Sequence, residues 1–482
     1  MMNKIPPVLF ASFAIVSCSS HSRIEGPPNI VLILADDLGY GDLSCYGQKK
    51  FSTPNIDRLA SDGMLFTQHY TGCTVSAPSR SALMTGQHTG HTPVRGNKNW
   101  EPEGNWPLKA ESVTIAEVMK SKGYITGAFG KWGLGYINTE GDPNSQGFDE
   151  FFGYNCQSLA HNYYPDHLWH NREKIELHEN ENGKKGIYSA DLIHDAAIAF
   201  MENNKDKPFF LFYPTTIPHA ELFAKEEYIK KFRGKYLPEK EFKGVDDGPT
   251  FRLGPYGSQA ESHAAFAAMV TQLDDYVGEL IHKLKKLGLE KNTIVIFASD
   301  NGPHLEGGAD PDYFDSNGPL KGYKRDMYEG GIRTPLLVKW PGVVQPGSKS
   351  DHISAFWDMM PTFAEIAGAD ITQSIDGISF LPELLGKEQK KHEFLYWEFH
   401  EQGGKVALRM GNWKAVKQDI EKIPHGPTEL YDLNTDIGET NDISLMNKEI
   451  VHRMDSLIEL SHVRSEDFPF SCEAADKKHD PQ

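Results

Sequence analysis

Short apolar runs alternate with helical patterns along most of this chain. The first run, Asn29–Ala35, is continuous in its apolar character rather than alternating, as a strand covered on both faces must be, and it stops at Asp36-Asp37. Pro54 opens a short helix to Ala60, with Gly63 just past its end. Thr114 and Glu117 form a capping box for a helix that stops at Gly123, and Tyr124–Phe129 then reads as a strand leading into Gly130-Lys131. Pro208–Tyr213 is the next strand. Between His263 and Leu287 the residues Phe266, Met269, Val270, Leu273, Val277, Leu280 and Ile281 recur mostly at spacings of three and four, which predicts one long amphipathic helix ended by Gly288. Thr293–Ala298 and Thr334–Trp340 are further buried strands, the first ending in Ser299-Asp300-Asn301 and the second in Pro341-Gly342.

This alternation predicts an α/β fold with a mixed, mostly parallel central sheet sandwiched by helices. From about Glu393 the segments shorten and alternate. Phe394–Phe399, Lys405–Met410 and Trp413–Val416 predict a smaller C-terminal α+β subdomain built on a short antiparallel sheet. The expected units are residues 29–380 for the larger α/β domain, 381–475 for the subdomain and 476–482 for a polar tail.

The N-terminus follows a different logic. Lys4 precedes the apolar run Ile5–Val16, too short to span a membrane but suited to a signal-peptide core, and no other apolar stretch is long enough to cross one. Ile15-Val16-Ser17-Cys18 resembles the bacterial lipobox, which implies a signal peptide over 1–18, lipidation of Cys18 and a tether over 19–28. The expected location is therefore the periplasm or outer membrane of a Gram-negative bacterium, with membrane attachment by the lipid anchor only. Ordinary cleavage near Ser20 is the alternative. Cys45, Cys73, Cys156 and Cys472 are too scattered to form a disulfide framework.

The 482 residues carry 49 Lys plus Arg against 67 Asp plus Glu, a formal charge of −18. Such a surplus of acid, with no basic stretch, argues against a nucleic-acid partner. An anionic substrate must then be met by local positive charge or by a metal.

In an open parallel sheet, ligands gather beyond the carboxyl ends of the strands, and that is where Asp36, Asp37, Lys131, His219, Asp300 and Asn301 fall. Three carboxylates and an amide form a hard oxygen set suited to Ca²⁺ or Mg²⁺. One Asp after a strand, taken alone, reads as a helix cap or loop turn. Two such pairs on separate strands favour a metal site. In Ser76–Gly86, Pro78 starts a helix that Gly86 closes, so the residues before Pro78 sit at a helix N-terminus, where free amides and the dipole attract anions. Arg80 adds a forked donor on the first turn, although a capped helix with a solvated arginine has the same composition.

Ser76-Ala77-Pro78-Ser79-Arg80 with Thr85-Gly86 resembles the signature of type I sulfatases of the alkaline phosphatase superfamily, and it falls on Ser76 rather than Cys73. The resemblance extends through Asp36-Asp37-Leu38-Gly39-Tyr40-Gly41-Asp42, Gly130-Lys131-Trp132, Ser299-Asp300-Asn301-Gly302, Tyr328-Glu329-Gly330-Gly331-Ile332-Arg333 and Leu430-Tyr431-Asp432-Leu433, nearly the whole mature chain. It implies an alkaline phosphatase-like fold and a sulfuric ester hydrolase. It also implies that a radical-based maturase of the serine type oxidises Ser76 to formylglycine, whose hydrate is the nucleophile. One hydroxyl attacks sulfur and expels the sugar alcohol; the other then loses its proton, so that the ester collapses and releases sulfate. By the same resemblance Asp36, Asp37, residue 76, Asp300 and Asn301 hold one divalent ion, Ca²⁺, while Arg80 and Lys131 hold the hydrate and the sulfate. His219 and Lys324 serve the leaving oxygen as acid and electrostatic partner. One position departs from the pattern: Lys131-Trp132-Gly133-Leu134-Gly135 stands where many relatives have Lys-Trp-His-Leu-Gly, so a histidine that commonly supports the nucleophile is absent.

Exported bacterial members of such a family commonly desulfate glycans. The loops offer His161, Tyr163, His304, Glu306, Asp310, Asp312, His400 and Glu401 as sugar contacts, since a pyranose stacks on aromatic faces while carboxylates accept its hydroxyl hydrogens. The stretches Asp300–His304 and Trp397–Glu401 look like the subset acting on galactose or N-acetylgalactosamine 4- or 6-sulfate in host or algal glycans. Two alternatives accompany this reading. A phosphodiesterase or phosphonate hydrolase of the same superfamily would need a second metal cluster, which the sequence does not offer. An inactive lipoprotein that binds sulfated glycans would keep Ser76 unmodified.

Overall fold

Asn29–Ala35 lies near the middle of a ten-stranded sheet and is buried along its whole length, which is why it carries no polar alternation. The computed structural model describes residues 26–248 and 250–476; the apolar run Ile5–Val16, Cys18 and the tail from 477 lie outside the described residues. Across the sheet the strands run Ser348–Ser350, Met64–Phe66, Leu336–Lys339, Thr293–Ser299, Asn29–Ala35, Phe209–Pro214, Ile125–Lys131, Glu150–Tyr154, His167–His170 and Glu173–Glu176. The centre is parallel from Thr293–Ser299 to Glu150–Tyr154. Leu336–Lys339 runs antiparallel to its neighbours, and a hairpin over 167–176 extends the far edge. The apolar pattern did not predict the Glu150–Tyr154 strand or this hairpin.

The faces of the central strand divide cleanly. Val31, Ile33 and Ala35 pack with Phe266, Met269 and Leu273 of the long helix Ser262–Lys286, while Ile30, Leu32 and Leu34 join the cluster holding Met360 and Phe363 of the helix Met359–Ala367. The sheet is thus covered by helices on both sides, as the alternation requires. In the short helix Ile115–Lys120 the Thr114–Glu117 capping box is present in both directions. Among the described residues no helix is long and apolar enough to cross a membrane, and the four described cysteines are unpaired.

The C-terminal sheet comprises Leu395–Phe399, Lys405–Met410, Trp413–Lys417 and Glu429–Asp432, antiparallel in chain order. A buried ion cluster ties it to the larger unit: Lys414 Nζ lies 3.0 Å from Glu329 and 3.4 Å from Glu439.

The helix Lys448–Ser461 ends at His462, whose ring nitrogens each lie 2.6 Å from a carboxylate, Nδ1 from buried Glu398 and Nε2 from Glu473. Glu398 also meets His400 Nε2 at 2.8 Å, the Tyr396 hydroxyl at 2.9 Å and Arg95 at 3.4 Å. Burial pulls the His462 imidazole down, but its bonds to the two carboxylates outweigh this and raise it to about 9. A pKa raised above the unfolded value of about 6.5 contributes stability that is complete below that pH and lost as pH rises through the folded value. The melting temperature is therefore expected to fall by about 2–5 °C between pH 6.5 and 9, with a flatter profile in His462→Gln. A thermal melt series that is flat for the native protein over this window contradicts the assignment.

Candidate active site

The in-register parallel pairing of Asn29–Ala35 with Thr293–Ser299 brings the two strand ends level, so that Asp36-Asp37 and Asp300-Asn301 emerge side by side. The link is direct: Asp300 N donates to Ala35 O at 3.1 Å, Asp37 N to Asp300 Oδ1 at 3.1 Å, and Asn301 Nδ2 to Asp37 Oδ1 at 2.7 Å. Facing them is the helix Ser76–Thr85, buried throughout and closed by Gly86 at φ 68. It starts two residues before Pro78, with Val75 as its N-cap, so Ser76 occupies its first turn. Ser76 Oγ lies 3.3 Å from Asp36 Oδ1 and 3.3 Å from Lys131 Nζ, and the Lys131 ammonium is paired with Asp36. One turn on, Arg80 places Nη2 2.8 Å and Nε 3.1 Å from Asp300 Oδ2, and donates from Nη1 to Lys131 O. Burial lowers the Lys131 pKa, opposed chiefly by the Asp36 carboxylate.

A second group closes the other side. Lys324 Nζ donates to Asp37 Oδ2 at 2.8 Å, sits 3.1 Å from His219 Nε2 and reaches Glu306 Oε2 at 3.2 Å. His219 Nδ1 donates to the Ala220 carbonyl, which leaves the Nε2 lone pair facing the ammonium. His219 is stacked between His161 and His304, with ring centroids 4.9 and 5.5 Å away. Burial and then Lys324 hold His219 far below the ordinary imidazole value, and burial takes His161 down to about 4. Burial also acts against the Lys324 charge, but Asp37 and Glu306 outweigh it and raise its pKa.

The structure thus brings together Asp36, Asp37, Ser76, Arg80, Lys131, His219, Asp300, Asn301 and Lys324, with His161, His304 and Glu306 alongside. Four of the proposed sugar contacts are placed differently. Tyr163 is buried, stacked on Tyr188, and its hydroxyl donates to the Thr216 and His219 carbonyls, so it supports the loop carrying His219 rather than facing a ligand. His400 turns away to bond Glu398 and stacks on Phe470 with centroids 4.0 Å apart. Asp310 caps the short helix Pro311–Phe314 and bonds His263, while exposed Asp312 accepts from the Tyr323 hydroxyl. Glu401 stays near the centre through an intermediary: it accepts from Asn97 N at 3.2 Å, and the Asn97 side chain accepts from Ala77 N at 3.0 Å. Sequence reasoning missed Arg325, whose Nη1 lies 2.5 Å from Glu306 Oε1, and Tyr256, whose hydroxyl lies 3.0 Å from Glu306 Oε2. Arg325 adjoins Lys324 and reads as a solvated charge; Tyr256 sits in an unpatterned loop.

The acidic residues are a suitable cradle for a hard cation. Single ligand atoms of Asp36, Asp37 and His219 lie within 4.8 Å of one another. Asn301 Oδ1 is buried without a hydrogen-bond partner, and a cation would satisfy that otherwise costly orphan. Oxygen ligands of this kind suit Ca²⁺ better than a thiolate-seeking metal.

An oxygen-lined cation cradle, a hydroxyl on the first turn of a buried helix and three converging cationic side chains, all at the carboxyl edge of a mostly parallel sheet, define a hydrolase of anionic esters. Residues 28–369 match the family described as Sulfatase, and residues 322–464 match the one described as N-sulphoglucosamine sulphohydrolase, C-terminal. Human arylsulfatase A is 34% identical over 473 residues, covering 87% of this chain and 84% of its own. The N-acetylgalactosamine-6-O-sulfatase of Bacteroides thetaiotaomicron is 30% identical over 510 residues, covering 90% and 92%. Among solved structures, Ps i-CgsB in complex with k-i-k-neocarrahexaose superposes with a TM-score of 0.76 at 30% identity, over 94% of this chain and 98% of that one. The chain belongs to the sulfatase family of the alkaline phosphatase superfamily and is a sulfuric ester hydrolase.

Proposed function

We propose that this sulfatase removes sulfate from carbohydrates, with galactose or N-acetylgalactosamine 4- or 6-sulfate as the substrate unit, and that Ser76 is its nucleophile after oxidation to formylglycine by a serine-type radical maturase. The observation that carries this reading is the placement of Ser76 Oγ 3.3 Å from both Asp36 and Lys131 at the mouth of a buried helix. Similarity to the Bacteroides N-acetylgalactosamine-6-O-sulfatase and to Ps i-CgsB, solved in complex with k-i-k-neocarrahexaose, supports the sugar assignment. The lipobox-like run ending at Cys18 supports an exported, lipid-anchored protein.

In this reading Asp36, Asp37, Asp300 and Asn301 would hold Ca²⁺ together with residue 76, and the ion would supply positive charge to the sulfate oxygens. Formylglycine at position 76 would supply a hydrated aldehyde as the nucleophile. Lys131 orients the group at position 76 and holds its charge as a compact ammonium; Arg80, fixed by Asp300, aligns the anion. Lys324 and His219 face the leaving oxygen together. Because His219 Nδ1–H is committed to Ala220 O, the mobile proton of this pair resides between Lys324 Nζ and His219 Nε2. The stacked His161 and His304 rings keep that imidazole in place.

Coexpression with an anaerobic radical maturase tests the reading. The Ser76 peptide is expected to lose two hydrogens by mass spectrometry, and the matured protein to release sulfate from sulfated galactose or N-acetylgalactosamine. A preparation with the mass change confirmed and no release from either sugar would refute the carbohydrate assignment.

A further inference from the structure

Gly133 has φ +76, and a Cβ built on it would sit 2.0 Å from Nε2 and 3.0 Å from Cδ of Gln157. The Gln157 carboxamide therefore fills the space that a side chain at 133 would occupy. This space lies at the reactive edge. Lys131 pairs with Tyr154, Trp132 N donates to Tyr154 O at 2.9 Å, and Gly133 N donates to Asn155 O at 2.9 Å, so the ends of these two strands carry Lys131, Asn155 and Gln157 together. The Lys131 ammonium is the group 3.3 Å from Ser76 Oγ.

Gln157 is anchored through its backbone, N donating to Asn105 Oδ1 at 2.7 Å. Its side chain is not. Gln157 is 8% exposed and Nε2 has no partner; Asn155 is 0% exposed and neither end of its carboxamide has one. Buried amides are almost always paired, because an unpaired one forfeits its hydration without return. Two such side chains, just past the end of the strand that pairs with the one supplying Lys131, are not used by the fold.

We propose that Gln157, seconded by Asn155, is a ligand-contacting element of the reactive centre, its carboxamide donating to an oxygen of the bound sulfate group in the space left open by Gly133. The inference rests on the sulfatase reading of this site and extends it by naming an uncharged donor beside Gly133. Unlike an imidazole, an amide keeps its donors at every working pH.

The test uses the matured full chain with Gln157→Ala, Gln157→Glu and Gln157→His, reading inorganic sulfate binding by calorimetry, kcat and KM on a sulfate ester, and the melting temperature. Gln157→Ala is expected to weaken sulfate binding about tenfold and to lower kcat/KM about 100-fold, the range seen when one preorganised donor is removed, with the melting temperature unchanged or raised because a buried orphan amide is gone. Gln157→Glu is expected to lose more through charge repulsion. Gln157→His is expected to retain more activity than the alanine variant and to add a titrating limb to the pH profile near neutrality. Sulfate affinity and kcat/KM within twofold of native in Gln157→Ala would overturn the inference, as would a fall in melting temperature that accounts for the activity lost. A native protein that binds sulfate through Gln157 but turns over no sulfate ester would defeat the enzymatic reading and leave this contact standing. Native turnover untouched by Gln157→Ala would defeat the contact alone, and a native protein with neither binding nor turnover would defeat both.

Discussion

Ser76→Ala is expected to lower sulfate release by about 10⁴-fold or more while shifting the melting temperature by no more than about 2 °C. The two effects separate because the hydroxyl does so little for the fold. Its neighbours, Asp36 Oδ1 and Lys131 Nζ, are both 3.3 Å away, and the helix has Val75 rather than Ser76 at its N-cap, with no side-chain capping bond to lose. What alanine removes is the side-chain oxygen that lies 3.3 Å from both Asp36 and Lys131. The positive charges of Arg80 and Lys131 survive, so the variant is expected to bind a sulfate ester and leave it uncleaved. Turnover within tenfold of native, measured on protein whose Ser76 peptide carries the oxidation in the native chain, would mean that the nucleophile lies elsewhere.

The reach of the sequence in this protein follows from which interactions are local. Asn29–Ala35 and Thr293–Ser299 are continuous apolar runs because both faces of each strand are covered, and their ends place Asp36-Asp37 and Asp300-Asn301 just past the sheet. That the pairs meet depends only on parallel register, which the fold class implies. The Thr114 capping box and the Gly86 stop are likewise decided within a turn of chain. The cluster of Lys324, His219 and Glu306 is another matter: it joins two loops more than a hundred residues apart in the chain, and nothing in their periodicity announces the contact. Residue type also misleads where one chemistry serves two purposes. Tyr163 and His400 suit a sugar, yet an aromatic ring with a polar tip suits an interior with a carbonyl or carboxylate at hand just as well, and that is where both lie. The Glu150–Tyr154 strand escaped notice because Gly153 interrupts it, although a Cβ at that position would meet Gly130 O at 2.0 Å, so the glycine is what lets the two strands approach.

Asp300→Asn is expected to have the largest combined effect on stability and activity, since one carboxylate accepts from three donors on two residues. Its Oδ2 receives Nε and Nη2 of Arg80, its Oδ1 receives Asp37 N, and its backbone N continues the sheet to Ala35. The amide preserves shape but removes the charge opposite an arginine that is 1% exposed, and the next carboxylate oxygen, Asp36 Oδ1, is 3.8 Å away. Removing one member of a buried pair costs about 3–5 kcal/mol, because the remaining charge keeps its desolvation and loses its partner. For a chain of this length that corresponds to a fall of about 3–5 °C in melting temperature. On the calcium reading proposed above, the same change removes a negative ligand of the ion, so calcium measured by mass spectrometry after dialysis is expected to drop below half an equivalent, and sulfate release to fall about 10³-fold. Added calcium then separates the two roles of Asp300. It is expected to recover part of the activity without restoring the melting temperature, since the ion refills the cradle but does not neutralise Arg80. A variant that retains native calcium and loses only stability would reduce Asp300 to the counter-ion of Arg80 and leave Asp36, Asp37 and Asn301 as the cation's ligands.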